Sequence, residues 1–183
     1  MGRAKDPEAN MGRSENERRT ESIRYASRID YCRIFQEDMH SLYLLSFMLT
    51  TNHAKAEQCY SESMENVIRG KPVLKEWVRS WIKRNVIQSA IRMVFCESTQ
   101  LQDRDVWHES PLRCVIDAVT RLAPLMRFVF VMSVLEHYSD SECSRLLNCT
   151  VQDVIDARSQ ALRTAFSLPG VAIARDKVFA ARE

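Results

Sequence analysis

Six basic side chains and two tryptophans share the stretch from Gly70 to Arg92, and these residues are the best candidates for chemistry. The cations are Lys71, Lys75, Arg79, Lys83, Arg84 and Arg92 against the single acid Glu76, a net charge of +5. Lysine and arginine neutralise phosphates, and aromatic rings stack on unpaired bases. Trp77 and Trp81, one helical turn apart, therefore predict a helix that binds nucleic acid. The alternative is that at least one tryptophan packs in the core beside Leu74, Val78 and Ile82.

Other kinds of site have little support in the sequence. The four histidines are scattered, and none stands with a Ser or Cys and an acid in a nucleophile arrangement. The chain also lacks a Walker loop, a GxGxxG motif and an HExxH motif. We therefore expect a protein that is not an enzyme, with no catalytic residue, no cofactor and no small-molecule substrate.

The cysteines occur singly, without a CxxC pair, at Cys32, Cys59, Cys96, Cys114, Cys143 and Cys149. Reduced thiols are the expectation, because cytosolic proteins rarely keep disulfides and the sequence shows no export signal. A zinc site built from His137, Cys143 and Cys149 is conceivable, but this spacing fits no standard zinc pattern. The sequence thus predicts no metal site.

Composition places the chain among ordinary globular proteins. Its 183 residues are 45% hydrophobic and 27% charged, with a net charge of +2, and such a chain can bury a core. The longest apolar stretches, residues 42–49 and 128–135, are far shorter than the roughly 20 residues of a bilayer-spanning helix. The N-terminus has no apolar run typical of a secretory signal. These features predict a soluble cytoplasmic protein that does not contact a membrane.

Apolar residues at three- and four-residue steps predict helices throughout the first part of the chain. After a disordered tail over residues 1–27, we expect one helix to about Thr50–Thr51, with an apolar stripe of Cys32, Phe35, Met39, Leu42, Leu45 and Leu49. Asn52 is expected to cap a second helix, and Gly70 to end it in a left-handed conformation. A third helix is expected from Lys71–Pro72 to about Phe95.

The second part follows a polar linker over residues 97–110. Helices are expected from Ser110–Pro111 to Leu122 and from Pro124 to Leu135. Ser139 and Glu142 have capping-box spacing for a short helix that ends at Leu147–Asn148, and Thr150 is expected to cap a last helix from Val151 to about Phe166.

This pattern predicts an all-α fold with two small helical domains, residues 28–96 and 111–168, and a tail over residues 169–183. The short helix, three-residue turn and longer helix from Ser139 onward have helix-turn-helix spacing. A plain helical hairpin has the same spacing, so the pattern alone leaves both open.

Residues 122–154 read LAPLMRFVFVMSVLEHYSDSECSRLLNCTVQDV. This segment resembles the fourth conserved region of bacterial extracytoplasmic-function (ECF) sigma factors. There "Leu-Pro-x-x-x-Arg-x-Val-Phe" precedes "Glu-Gly-Tyr-Ser-x-x-Glu-(Ile/Cys)-Ala-x-x-Leu-Gly-Cys-Ser-x-x-Thr-Val". With one residue inserted after Leu122, the matches are Leu122, Pro124, Arg127, Val129, Phe130, Glu136, Tyr138, Ser139, Glu142, Cys143, Leu147, Cys149 and Val154.

Residues 39–70 read MHSLYLLSFMLTTNHAKAEQCYSESMENVIRG and are similar to the family's second region. That region reads "Leu-Tyr-x-Leu-(Ala)-x-x-Leu-Thr-(Gly-Asn)-x-x-(Asp)-Ala-Glu-Asp", and the corresponding residues are Leu42, Tyr43, Leu45, Leu49, Thr50, Ala56, Glu57 and Glu62. The basic stretch resembles the family's "Trp-Leu-x-x-Ile-x-x-Asn" element through Trp77, Val78, Trp81, Arg84 and Asn85.

The resemblance implies an ECF-type sigma factor, which binds core RNA polymerase and directs promoter-specific transcription initiation through DNA binding. It implies polymerase contacts at Glu57, Gln58 and Glu62. Contacts to the −10 promoter element are expected from Lys75, Trp77, Arg79, Trp81, Lys83, Arg84 and Asn85. The expected partners are core RNA polymerase and promoter DNA, and an anti-sigma factor is a further candidate.

The last helix departs from the family's recognition helix, "Thr-Val-(Lys/Arg)-Ser-Arg-Leu-x-Arg-Ala". Ile155, Ala157 and Gln160 replace basic side chains, and Asp153 and Asp156 add negative charge, which disfavours contact with phosphates. One interpretation is an unusual contact to the −35 element through Gln152, Ile155, Arg158, Ser159, Gln160 and Arg163. The other is a sigma-like regulator that acts through protein partners, with lost or altered promoter recognition. A dimeric helix-turn-helix repressor is a further rival, which leaves the N-terminal resemblance unexplained.

Overall fold

The structure, a computed structural model, describes residues 24–96 (the first half) and 113–166 (the second half). Every regular element in these two ranges is helical, and the one extended pairing there is an isolated antiparallel bridge between Tyr25 and Leu74. The predicted all-α fold class is confirmed. The predicted linker and the helix start at Ser110–Pro111 lie outside the described residues.

The first half contains helices α1 (Arg28–Glu37), α2 (Met39–Thr50), α3 (His53–Arg69) and α4 (Val78–Ile91). A 3₁₀ turn, Lys75–Trp77, leads into α4, and a π-helical turn, Arg92–Cys96, follows it. The second half contains α5 (Arg113–Thr120), α6 (Pro124–Phe130) with a π-helical turn (Val131–Leu135), α7 (Asp140–Leu147) and α8 (Val151–Phe166).

The prediction of one continuous helix up to Thr50 is wrong, because the backbone leaves the helical conformation at Asp38 (φ −100°, ψ 12°). This break changes which side chains point inward. Phe35 is buried as predicted, but Cys32 is exposed and Met39 is 58% exposed. The leucines of the predicted stripe, all within α2, are buried.

Helix α2 lies at the centre of the fold. From Leu45 to Thr50 every residue is buried, and a helix that is apolar around its circumference must be covered on all sides. It packs on α1, α3 and α4 of the first half and on α5 and α6 of the second. Side chains from both halves therefore contribute to one hydrophobic core.

The predicted helix caps are confirmed. The Asn52 side chain accepts a hydrogen bond from the Lys55 backbone N–H at 3.0 Å, and Ser139 and Glu142 form a reciprocal capping box. Thr150 accepts from the Asp153 N–H at 3.1 Å, and the Asp153 carboxylate accepts from the Thr150 N–H at 2.9 Å. This second reciprocal pair starts α8.

Two predictions about the segment before α4 are wrong. Gly70 is extended (φ −73°, ψ −177°) rather than left-handed. The helix begins at Lys75 instead of Lys71–Pro72, because the intervening residues pair with the chain before α1. There the Ala26 N–H donates to the Val73 carbonyl at 2.8 Å. Ala26 is buried, so ordered packing begins before Arg28.

Three non-glycine residues of the described chain have a left-handed backbone: Thr51 (φ 60°), His137 (φ 58°) and Asn148 (φ 52°). Each stands where the sigma-factor patterns quoted above carry glycine, in "Leu-Thr-(Gly-Asn)", "Glu-Gly-Tyr" and "Leu-Gly-Cys". Glycine adopts this conformation without steric cost, whereas a β-branched residue such as Thr51 rarely does. At these three positions the backbone therefore has a conformation that glycine adopts without strain.

Candidate nucleic-acid interface

The basic helix (residues 75–91, the 3₁₀ turn and α4) forms ion pairs with carboxylates from other elements. Lys75 Nζ lies 3.9 Å from Asp30 Oδ2 of α1. Arg79 pairs with Glu37 at 2.6 Å and also with Asp38.

Lys83 makes an ion pair between the two halves. Its Nζ lies 2.6 Å from Oε2 of Glu136, which follows the π-helical turn of the second half. The Lys83 side chain is 41% exposed and that of Glu136 is 16% exposed. Ion pairs at an accessible surface contribute about 0–1 kcal/mol, so a phosphate can compete with each of these carboxylates for the cation.

The two tryptophans have different surroundings. Trp77 is 61% exposed, whereas Trp81 is half-buried and packs against the core. The indole N–H of Trp81 is inaccessible to solvent and has no hydrogen-bond partner in the described part of the chain. Asn85 donates from its amide to the Trp81 carbonyl at 2.9 Å, so this amide faces its own helix. Trp77 is therefore the ring that is free to stack on a base.

A cleft of about 420 Å³ separates the basic helix from the segment between α6 and α7. On one side lie Trp77, Trp81, Lys83 and Arg84, and on the other lie Glu136, His137, Tyr138 and Glu142. Burial is the main reason that the pKa of Tyr138 rises to about 12, so its phenol stays neutral at physiological pH.

The side of the cleft formed by Glu136, His137, Tyr138 and Glu142 was not predicted from the sequence. One signal for this side was available: the segment from Glu136 to Phe166 is net negative, because it contains five acids and three arginines. Nothing in the spacing indicates that this segment packs against the basic helix about 50 residues earlier.

The predicted recognition helix, α8, packs on α7 with Val154 fully buried. Asp153 belongs to the cap of the helix, and hydrogen bonds from the Thr150 side chain and backbone lower its pKa. Asp156 accepts a hydrogen bond from the Gln152 amide at 3.1 Å. Arg158 forms a two-contact ion pair with Asp140 of α7, one contact at 3.1 Å.

The other residues predicted to contact the −35 element differ in solvent exposure. Gln160 and Arg163 are exposed, as is Gln152, while Ile155 and Ser159 are half-buried. The outward face of α8 thus presents Asp153 and Asp156 beside amides, while Arg158 is already paired. This surface offers little uncompensated positive charge to DNA.

The residues with implied polymerase contacts lie on the outer face of α3. Glu57 and Gln58 are exposed, and Gln58 donates from its amide to the Glu62 carboxylate at 2.8 Å. The opposite face of the helix, with Cys59 and Ser63, is buried. Gln58 and Glu62 are therefore in contact on α3, and Glu57 is exposed on the same helix.

The described cysteines differ in exposure: Cys32 and Cys96 are exposed, and Cys149 is half-buried. Cys59 and Cys143 are buried, and burial raises the pKa of each thiol to about 11, which keeps both protonated. No group of three His, Cys, Asp or Glu side chains in residues 24–96 and 113–166 is arranged to hold a metal ion. No helix in the same ranges is long and apolar enough to cross a membrane.

Comparison with known proteins identifies the fold. No protein-family model matches the chain, and no curated protein matches it. Among solved structures, the chain is similar to the sigma factor RpoE from Bartonella quintana, crystallised in complex with the anti-sigma factor NepR. The TM-score is 0.50 at 19% sequence identity, and the match covers 78% of this chain and 98% of that one. The chain therefore has a sigma-factor-like fold.

Proposed function

We propose that this chain is an ECF-type sigma factor, which binds core RNA polymerase and directs transcription from specific promoters. The observation that carries the proposal is the sigma-factor-like fold over 78% of the chain. Thr51, His137 and Asn148 are left-handed at the three positions where the sigma-factor patterns carry glycine. This agreement supports the alignment to those patterns, because a chance match of sequence would not be expected to place left-handed residues there.

The basic helix supplies the proposed contact to the −10 element. Trp77 stacks on an unpaired base as the duplex melts, and base–aromatic stacking contributes about 1–3 kcal/mol per base. Contacts to backbone phosphates come from Lys75, Arg79, Lys83 and Arg84. For these contacts Lys75, Arg79 and Lys83 release the carboxylates with which they pair in the free chain. For Trp81 and Asn85 the contact to the −10 element stays a prediction: the Trp81 ring lines the cleft although its N–H is buried, and the Asn85 amide donates to its own helix.

The outer face of α3 supplies the proposed contact to core polymerase through Glu57, Gln58 and Glu62. Co-elution of the full chain with bacterial core RNA polymerase tests this contact. Replacing all three residues by Ala should weaken the complex at least tenfold. The control is Arg145→Ala, which changes an exposed residue of α7 outside the proposed contact. Equal affinity of the triple variant and the wild type would contradict this assignment.

A second candidate is a sigma-like regulator that acts through protein partners, and the acidic face of α8 favours it. Asp156→Asn tests the two candidates against each other, because Asp156 is exposed and outside the helix cap. If α8 lies against the −35 element, removal of this like charge should tighten duplex binding. If duplex binding does not change while a protein partner loses affinity, α8 binds protein. Asp153→Asn is the less informative variant, because it also removes the cap.

A further inference from the structure

At the cleft, one cation of the basic helix contacts a carboxylate of the second half. Lys83 Nζ contacts Glu136 Oε2 at 2.6 Å, and Arg84 lines the cleft opposite Glu142. The fixed turn at His137 (φ 58°) holds the segment that bears Glu136. The two halves meet elsewhere as well, where the Phe95 and Phe128 rings are 5.2 Å apart, so this arrangement does not depend on one ion pair.

A phosphate and the Glu136 carboxylate compete for the same ammonium group. Lysine Nζ is a compact charge with three N–H donors, and the Glu136 oxygen at 2.6 Å takes one of them and neutralises part of the charge that would attract a phosphate. The second half also covers one side of the helix that carries Trp77 and Arg84. A strand of DNA that reaches Lys83 through this cleft must therefore compete with the Glu136 carboxylate.

We propose that the free chain is autoinhibited: the segment from Glu136 to Glu142 acts as a carboxylate mimic of the DNA backbone and closes the second half over the basic helix. Nucleic-acid binding then requires displacement of Glu136 from Lys83. This inference rests on the proposed function, since it assumes that Lys83 and Arg84 contact DNA. The inference adds to that function a carboxylate of the same chain that competes with DNA for Lys83.

Carbodiimide cross-linking of the full chain tests the closed arrangement without any DNA. This reagent joins an amine to a carboxylate in direct contact, so it should link Lys83 to Glu136, and peptide mass spectrometry should identify the link. A saturating dye-labelled single-stranded oligonucleotide should suppress the link. Glu136→Gln removes the carboxylate and should bind this oligonucleotide about two- to fivefold more tightly than the wild type. Glu65→Gln is the matched control, because it removes an equal charge far from the cleft.

The possible results separate this inference from the proposed function. Absence of the link in the free chain overturns the closed arrangement. A link that persists at saturating oligonucleotide overturns the competition and leaves DNA binding intact. If Glu136→Gln and Glu65→Gln tighten oligonucleotide binding equally, the competition is also overturned, because the change in net charge then explains the effect. If neither the wild type nor Glu136→Gln binds the oligonucleotide, both the inference and the DNA-binding part of the proposed function fail.

Discussion

The guanidinium of Arg127 donates from Nε to the backbone carbonyl of Leu49 at 3.1 Å, which joins the second half to the end of α2. Its Nη1 donates to the Leu122 carbonyl, also at 3.1 Å, and the side chain is fully buried. These bonds supply donors to the carbonyl of Leu49, in the last turn of α2, and to the carbonyl of Leu122, just after α5; both residues are buried. The halves are therefore connected through the interior as well as through Lys83 and Glu136.

Replacement of Arg127 should destabilise the whole described fold. Arg127→Met keeps much of the apolar volume but removes both donors, and we expect the free energy of unfolding to fall by about 3 kcal/mol. Urea denaturation followed by circular dichroism measures this change. Arg145→Met on exposed α7 is the control and should change stability by less than about 0.5 kcal/mol. Equal effects of the two variants would contradict the role of Arg127 between the halves.

The left-handed residue His137 predicts a stabilising substitution. A non-glycine residue in this conformation costs roughly 1–2 kcal/mol, and glycine avoids that cost but gains entropy in the unfolded chain. His137→Gly should therefore raise the free energy of unfolding by about 1 kcal/mol. Asn148→Gly is the matched control, since asparagine tolerates the left-handed region, and it should change stability by only a few tenths of a kcal/mol. A loss of stability in His137→Gly would contradict this assignment.

The salt dependence of DNA binding tests the phosphate contacts of the basic helix. Each phosphate contact contributes about 0.9 to the slope of log affinity against log salt for duplex DNA and about 0.7 for a single strand. Replacing both Lys83 and Arg84 by Ala should therefore lower the slope by between about 1.4 and 1.8. Arg145→Ala removes a cation from α7 and should leave the slope unchanged. An unchanged slope in the double variant would show that Lys83 and Arg84 do not contact phosphate.

The capping carboxylates predict how stability depends on pH. Hydrogen bonds from Ser139 lower the pKa of Glu142, and hydrogen bonds from Thr150 lower that of Asp153. A carboxyl whose pKa is lower in the folded state adds stability that is fully present above its unfolded pKa. That stability is lost as the pH falls through the lowered value.

The free energy of unfolding should therefore decrease as the pH drops below the ordinary values of 4.5 for Glu142 and 3.8 for Asp153. Glu142→Gln and Asp153→Asn should each reduce this decrease, and Thr150→Val, which removes the hydroxyl donor, should act like Asp153→Asn. Denaturation curves across this acidic range provide the measurement. The same pH dependence in every variant would contradict the capping explanation.

Local signals in the sequence predicted much of the fold. Asn52, Ser139 and Thr150 identified helix starts because capping depends on residues within one turn. The spacing of Leu42, Leu45 and Leu49 identified buried positions of α2 in the same way. The break at Asp38 escaped prediction because the apolar spacing continues through it, and nothing in the local sequence marks the change of backbone conformation there.

The candidate site was only partly predictable. The charge and aromatic pattern identified the basic helix, but its partners Asp30, Glu37 and Glu136 come from distant segments. Periodicity cannot reveal which segments meet across a fold. The sequence did contain one unused signal, the nearly uniform apolar character of α2, which indicates a helix buried between two layers.

Transcription from a pool of genomic DNA by bacterial core RNA polymerase plus the full chain tests the central proposal most directly. The proposal predicts defined start sites that share an upstream sequence element, transcripts that depend on the added chain, and a large reduction with the Glu57, Gln58 and Glu62 triple variant. The Arg145→Ala control should retain the same start sites. If the chain binds core polymerase stably yet produces no start site beyond those of core polymerase alone, the promoter-directing function is contradicted.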